Sequence, residues 1–186
     1  MHLSKKGVVC LFSLMLLVSC TKSDINTKLS RLLFTEIVIP HDGMNRIGNL
    51  CNNDTCCNDS MFTLLTYIDN NSCSQCELHE ILSTERVNRH SELWPKLNKI
   101  YIFNPSTESY KDICSMLCNK KIDGEIFLDS CGIFCNCNPQ LPKRKIFHTL
   151  VLDANNRVIL VGNPFRNQKL CILLKEIIIE EPFKNE

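Results

Sequence analysis

The stretch "FTLLTYIDNNSCSQCELHEIL", residues 62–82, constrains this chain more than any other. Residues 62–68 are almost continuously apolar and β-prone, the pattern of a strand covered on both faces. Residues 76–89 follow with Leu78, Ile81 and Leu82 at helical spacing and Val87 less well placed. Between the two runs stand Cys73 and Cys76. A cysteine where a helix starts aims its sulfur at unpaired backbone N–H groups and at the positive end of the helix dipole, which favours the thiolate. A second cysteine one turn later lies close enough to bridge the first. Three uses stay open from the residues alone: a redox centre, half of a metal site, or one link in a disulfide scaffold. Asp69, four residues before Cys73, is expected as a turn or cap residue, with proton acceptance beside the pair as its functional alternative.

The rest of the chain alternates in the same way. Residues 31–39, "RLLFTEIVI", read as a strand stopped by Pro40. Residues 41–60 are dense in Asn, Asp and Gly and read as a loop carrying Cys51, Cys56 and Cys57. Further strands are expected at 99–103, 125–129, 148–153 and 157–162, the last two joined by Ala154-Asn155-Asn156. Helices are expected at 107–119 and 166–180. This order predicts an α/β protein, a mixed central sheet flanked by helices with an added N-terminal strand. At 186 residues it fills one domain. A formal charge of +1 without a long basic run gives no reason to expect nucleic acid as a partner.

Thirteen cysteines call for either a metal protein or an oxidising compartment. The N-terminus favours the second. Lys5 and Lys6 precede the apolar run "GVVCLFSLMLLV", residues 7–18, too short to span a bilayer but suited to a signal peptide. The run ends in "LVSC", which resembles a bacterial lipobox. That resemblance implies cleavage before Cys20 and a lipid on its sulfur, anchoring the mature chain to a membrane. The expected division is a signal peptide at 1–19, a lipidated tether at 20–30 and a domain at 31–183. The expected location is the bacterial cell envelope, facing the periplasm or the exterior.

Over roughly residues 60–180 the sequence resembles the thioredoxin superfamily, specifically the extracytoplasmic TlpA/ResA-like thiol–disulfide oxidoreductases. "LLTYIDNNSCSQC", the β-α-β order, "HTLVLDANNRVILVG" and the last helix carry the resemblance. It implies a thioredoxin-like fold, Cys73 as nucleophile, Cys76 as resolving thiol and no cofactor. Partners would be extracytoplasmic proteins with thiols or disulfides. Ser72 stands where the family often has an aromatic residue. Tyr67 stands where thioredoxin holds a buried acid, and His148 where the family has a cis-proline. A histidine there could pack beside the pair, stabilise a thiolate as imidazolium, or complete a Cys₂His metal site.

The other cysteines read as structural. Cys51 can pair with Cys56 or Cys57. Cys131, Cys135 and Cys137 match no common zinc spacing and suggest a local disulfide. Cys114, Cys118 and Cys171 read as buried thiols on helices. Trp94 reads as a packing residue and His79 as solvent-facing. Two functions compete with disulfide exchange: a redox-inactive binding or structural lipoprotein of the same fold, and a metal-binding variant.

Overall fold

The computed structural model describes residues 24–47 and 61–180. The signal segment, Cys20 and the loop thiols Cys51, Cys56 and Cys57 lie outside the described residues. Strand β2, Phe62–Ile68, occupies the middle of a six-stranded sheet. It is buried nearly along its length, as the almost continuous apolar run predicts, with Thr63 and Thr66 the less buried positions. Helix α2, Ser74–Asn88, carries the chain over to β3, Leu97–Phe103, which runs parallel to β2. Helix α3, Tyr110–Cys118, then leads to β4, Glu125–Leu128, parallel to β3. A short helix α4, Ile133–Cys137, precedes β5, Thr149–Leu152, which lies antiparallel on the other edge of β2. The hairpin to β6, Val158–Val161, and helix α5, Gln168–Glu180, complete the domain.

The expected N-terminal strand at 31–39 does not form. Residues 24–32 are a helix, here α1, and the chain turns at 33–34 with Phe34 at φ 64°. The reason is spacing: Ile25, Leu29 and Leu32 fall on one helical face and pack against the core. Beyond the turn only Glu36 forms a bridge, to Arg157. The strand added at the N-terminal side is instead β1, Asn45–Ile47, antiparallel to β4 at the far edge. The sheet order is β1-β4-β3-β2-β5-β6.

Alternation along the strands sorts the core into two faces. Leu65, Tyr67, Ile100, Ile102, Leu150 and Leu152 meet α1 and Phe134 of α4. On the opposite face the apolar side chains divide into two clusters. One joins Ile68, Tyr101, Phe103 and Ile126 to α2 and α3. The other joins Phe62, Leu64, Val151 and Leu160 to Leu174 of α5. Lys99 is buried within β3, its ammonium 2.9 Å from Asp123 and 3.1 Å from the Trp94 carbonyl oxygen. Trp94 is a packing residue as expected, its indole N–H donating to Asp123 over 2.6 Å.

Candidate redox site

The site is assembled by the turn that leaves β2. The Asp69 carboxylate accepts from the Asn71 N–H at 3.1 Å and the Ser72 hydroxyl at 2.8 Å, while its carbonyl accepts from the Ser72 N–H. This Asx turn delivers Cys73 to the N-cap of α2. There the Cys76 N–H donates to Cys73 Sγ over 3.3 Å. The sulfur thus holds the place that a serine or aspartate oxygen takes in an ordinary cap. Cys73 and Cys76 are disulfide-bonded, with Cα atoms 5.2 Å apart, and both are exposed. A thiolate on Cys73 would meet the same N–H group and the dipole of a 15-residue helix.

His148 immediately precedes β5, and its carbonyl accepts from the Tyr67 N–H at 2.8 Å. The ring is 4% exposed. Its Nε2 lies 3.0 Å from the Pro142 carbonyl oxygen, which fixes the proton there in the neutral ring. Nδ1 is buried without a partner among the described residues, and the second Asp69 oxygen stands 3.9 Å away. Burial pushes the His148 pKa down, outweighing the upward pull of the Pro142 carbonyl and Asp69. The preceding peptide is not cis, since no cis bond occurs among the described residues.

A pH dependence follows. As pH falls below about 6.5 the unfolded chain takes up the His148 proton before the folded one does. This contribution to stability is therefore complete above that pH and is lost as pH drops through the lowered folded value. Urea midpoints at pH 7.5 and 5.5 should differ less in His148→Gln than in the natural chain; an equal difference in both contradicts the assignment.

Tyr67 does not lie under the disulfide as a stand-in acid. Its ring packs on the α1–α4 face, 5.1 Å from Phe134, and meets His148 edge-on at 5.3 Å. Its hydroxyl accepts from Asn104 at 3.0 Å and pairs with the Cys135 thiol. Burial and then Cys135 hold the phenol protonated. The contact with Cys135 and Asn104 had no signal in the sequence, because it joins three separate segments.

Other cysteines depart from expectation. Cys131, Cys135 and Cys137 are free thiols instead of a local disulfide, Cys131 and Cys137 being exposed. Cys135 is occupied with Tyr67, on the inner side of a five-residue helix. Cys114 and Cys118 face each other one turn apart as expected, but Cys118 is exposed and Cys114 only half-buried. Cys171 is half-buried against the α5 cluster. His79 is exposed, as expected. Among the described residues, no group of three or more His, Cys, Asp or Glu side chains is placed to hold a metal ion.

No protein-family model matches the chain, and no curated protein does. Three solved structures are similar in fold. A conserved protein of unknown function from Bacteroides fragilis is 13% identical, with a TM-score of 0.44, over 62% of this chain and 80% of that one. A thioredoxin-like protein from Bacteroides caccae is 18% identical, with a TM-score of 0.41, over 61% of this chain and 40% of that one. A mutant of PrxQ from Xylella fastidiosa is 12% identical, with a TM-score of 0.40, over 63% of this chain and 79% of that one. With a parallel β2-α2-β3 unit joined edge to edge with an antiparallel β5-β6-α5 unit, the fold of this chain is thioredoxin-like.

Proposed function

We propose that this chain is a membrane-anchored, extracytoplasmic thiol–disulfide oxidoreductase that exchanges disulfides with protein partners. The observation that carries the reading is the exposed Cys73–Cys76 disulfide at the start of α2, with the Cys76 N–H on Cys73 Sγ. In the reducing direction the Cys73 thiolate attacks a partner disulfide, forming a mixed disulfide and expelling one partner thiolate. Cys76 then attacks Cys73 Sγ, closing the Cys73–Cys76 bond and releasing the second partner thiolate. Two electrons pass to the partner, and the reverse sequence oxidises a dithiol. The signal-like N-terminus and the lipobox-like Cys20 support placement outside the cytoplasm on a membrane.

Cys76→Ser tests the mechanism. Without the resolving thiol, mixed disulfides through Cys73 are expected to accumulate, visible as adducts that vanish on reduction. Absence of adducts, together with no insulin reduction by the natural chain, rules out exchange and favours the redox-inactive reading.

A further inference from the structure

A cavity of about 280 Å³ lies between the two apolar clusters on the α2–α5 face. Its lining takes Leu64 from one cluster and Ile81 and Tyr101 from the other. Thr66, Thr84 and Asn163 add hydrogen-bonding groups. His148 also lines the cavity, and its Nδ1 is the buried ring nitrogen left without a hydrogen-bond partner among the described residues. A buried, unpartnered ring nitrogen at the wall of a cavity of this size calls for an occupant.

The charges identify that occupant. Two ion pairs cross from α2 to the opposite wall, Glu77 with Lys145 and Glu80 with Arg166, and all four residues line the cavity. The carboxylates are the more buried partners, with side chains 12% and 33% exposed against 61% and 56% for the cations. Lys145 and Arg166 can therefore swing outward, whereas Glu77 and Glu80 stay at the cavity. An entering anion alone would leave a carboxylate unpaired, and a cation alone would leave a base unpaired. A molecule with both charges replaces a protein ion pair at both ends. The volume limits it to the size of an amino acid or dipeptide.

The disulfide lies outside the cavity lining, at the start of the same helix. Cys73, Cys76-Glu77, Glu80-Ile81 and Thr84 fall on one stripe at spacings of three and four. We propose that the cavity binds a small zwitterionic thiol, or its symmetrical disulfide, as a low-molecular-weight exchange partner of the Cys73–Cys76 pair. This rests on the redox reading above. One zwitterionic thiolate attacks Cys73 Sγ, breaking the Cys73–Cys76 bond and releasing Cys76 as thiolate. A second attacks the ligand sulfur of the mixed disulfide, releasing Cys73 thiolate and the symmetrical disulfide. Two electrons enter the protein, and the reverse sequence consumes the small disulfide.

The test uses the full chain and two readouts. Trp94, the chain's single tryptophan, lines the cavity and reports binding by fluorescence. With the oxidised protein, S-methyl-L-cysteine should give a saturable change, weakened about tenfold by Arg166→Gln or Glu80→Gln. The N-acetyl methyl ester, which lacks both charges, should give none. With the reduced protein, L-cystine should react about tenfold more slowly in Arg166→Gln, while uncharged 2-hydroxyethyl disulfide reacts at the natural rate. No saturable signal, or equal binding of the uncharged ester, overturns the site. Binding of S-methyl-L-cysteine with no selective loss toward L-cystine overturns the exchange role. Failure of the redox reading itself is seen separately, as no reaction with either disulfide.

Discussion

Cys73→Ser is expected to bring disulfide exchange down to the rate of the uncatalysed background. The serine oxygen can take the same N-cap position and accept the Cys76 N–H, so the helix start is preserved. Its stability should match that of the reduced natural chain to within about 0.5 kcal/mol, as for a well-tolerated exposed substitution. What is lost is the sulfur, because a neutral hydroxyl at this cap is no nucleophile toward disulfides. The measurement is insulin reduction beside a urea titration. A folded Cys73→Ser protein that keeps its activity moves the chemistry to another thiol, and exposed Cys118, Cys131 and Cys137 become the candidates.

The largest effect on stability is expected from Gly124→Ala. Gly124 sits at φ 134°, just before β4, in a region that side chains rarely enter. An added Cβ would stand 2.6 Å from the Lys99 carbonyl oxygen and 2.7 Å from the Lys99 Cβ. Neither atom can step aside, since Ile100, next in β3, is in register with Glu125 of β4. Lys99 is also fixed by Asp123. Backbone strain and overpacking together should cost about 3 kcal/mol or more. For a chain of this size that lowers the thermal midpoint by about 6–12 °C. Gly132→Ala is the control. Gly132 also has positive φ, 65°, but its added Cβ would meet only the Asn104 amide at 3.8 Å. It should cost about 1 kcal/mol. Equal costs at the two positions would show that backbone preference, not the close approach to Lys99, governs Gly124.

The elements around the site were legible because local pattern and tertiary demand agree there. The nearly continuous, β-prone apolar run at 62–68 fits a doubly covered strand, and a turn with a capped helix follows from Asp69 to Cys76. The N-terminal region was misread because "RLLFTEIVI" has β-prone composition, while the decisive spacing of Ile25, Leu29 and Leu32 begins before it. Among the described residues strand β1 is Asn45, Arg46 and Ile47, too short for a local pattern, and its pairing with β4 defines it. His148 was legible as a position but not as a state. Its lowered pKa comes from burial, and its fixed tautomer from a carbonyl six residues back, neither of which is written in "HTLVLD". The ion pairs of Glu77 and Glu80 join α2 to partners 68 and 86 residues away, so no local window contains them.

The described part of helix α1 starts at Asp24, four positions after Cys20 in the sequence. Under the proposed anchoring, that leash spans at most about 14 Å when fully extended. The packing of α1 into the core leaves no slack beyond it. The domain would then patrol a thin layer of solvent against the bilayer. Its protein partners would have to present their thiols within that layer, which makes height above the membrane a selector alongside chemistry.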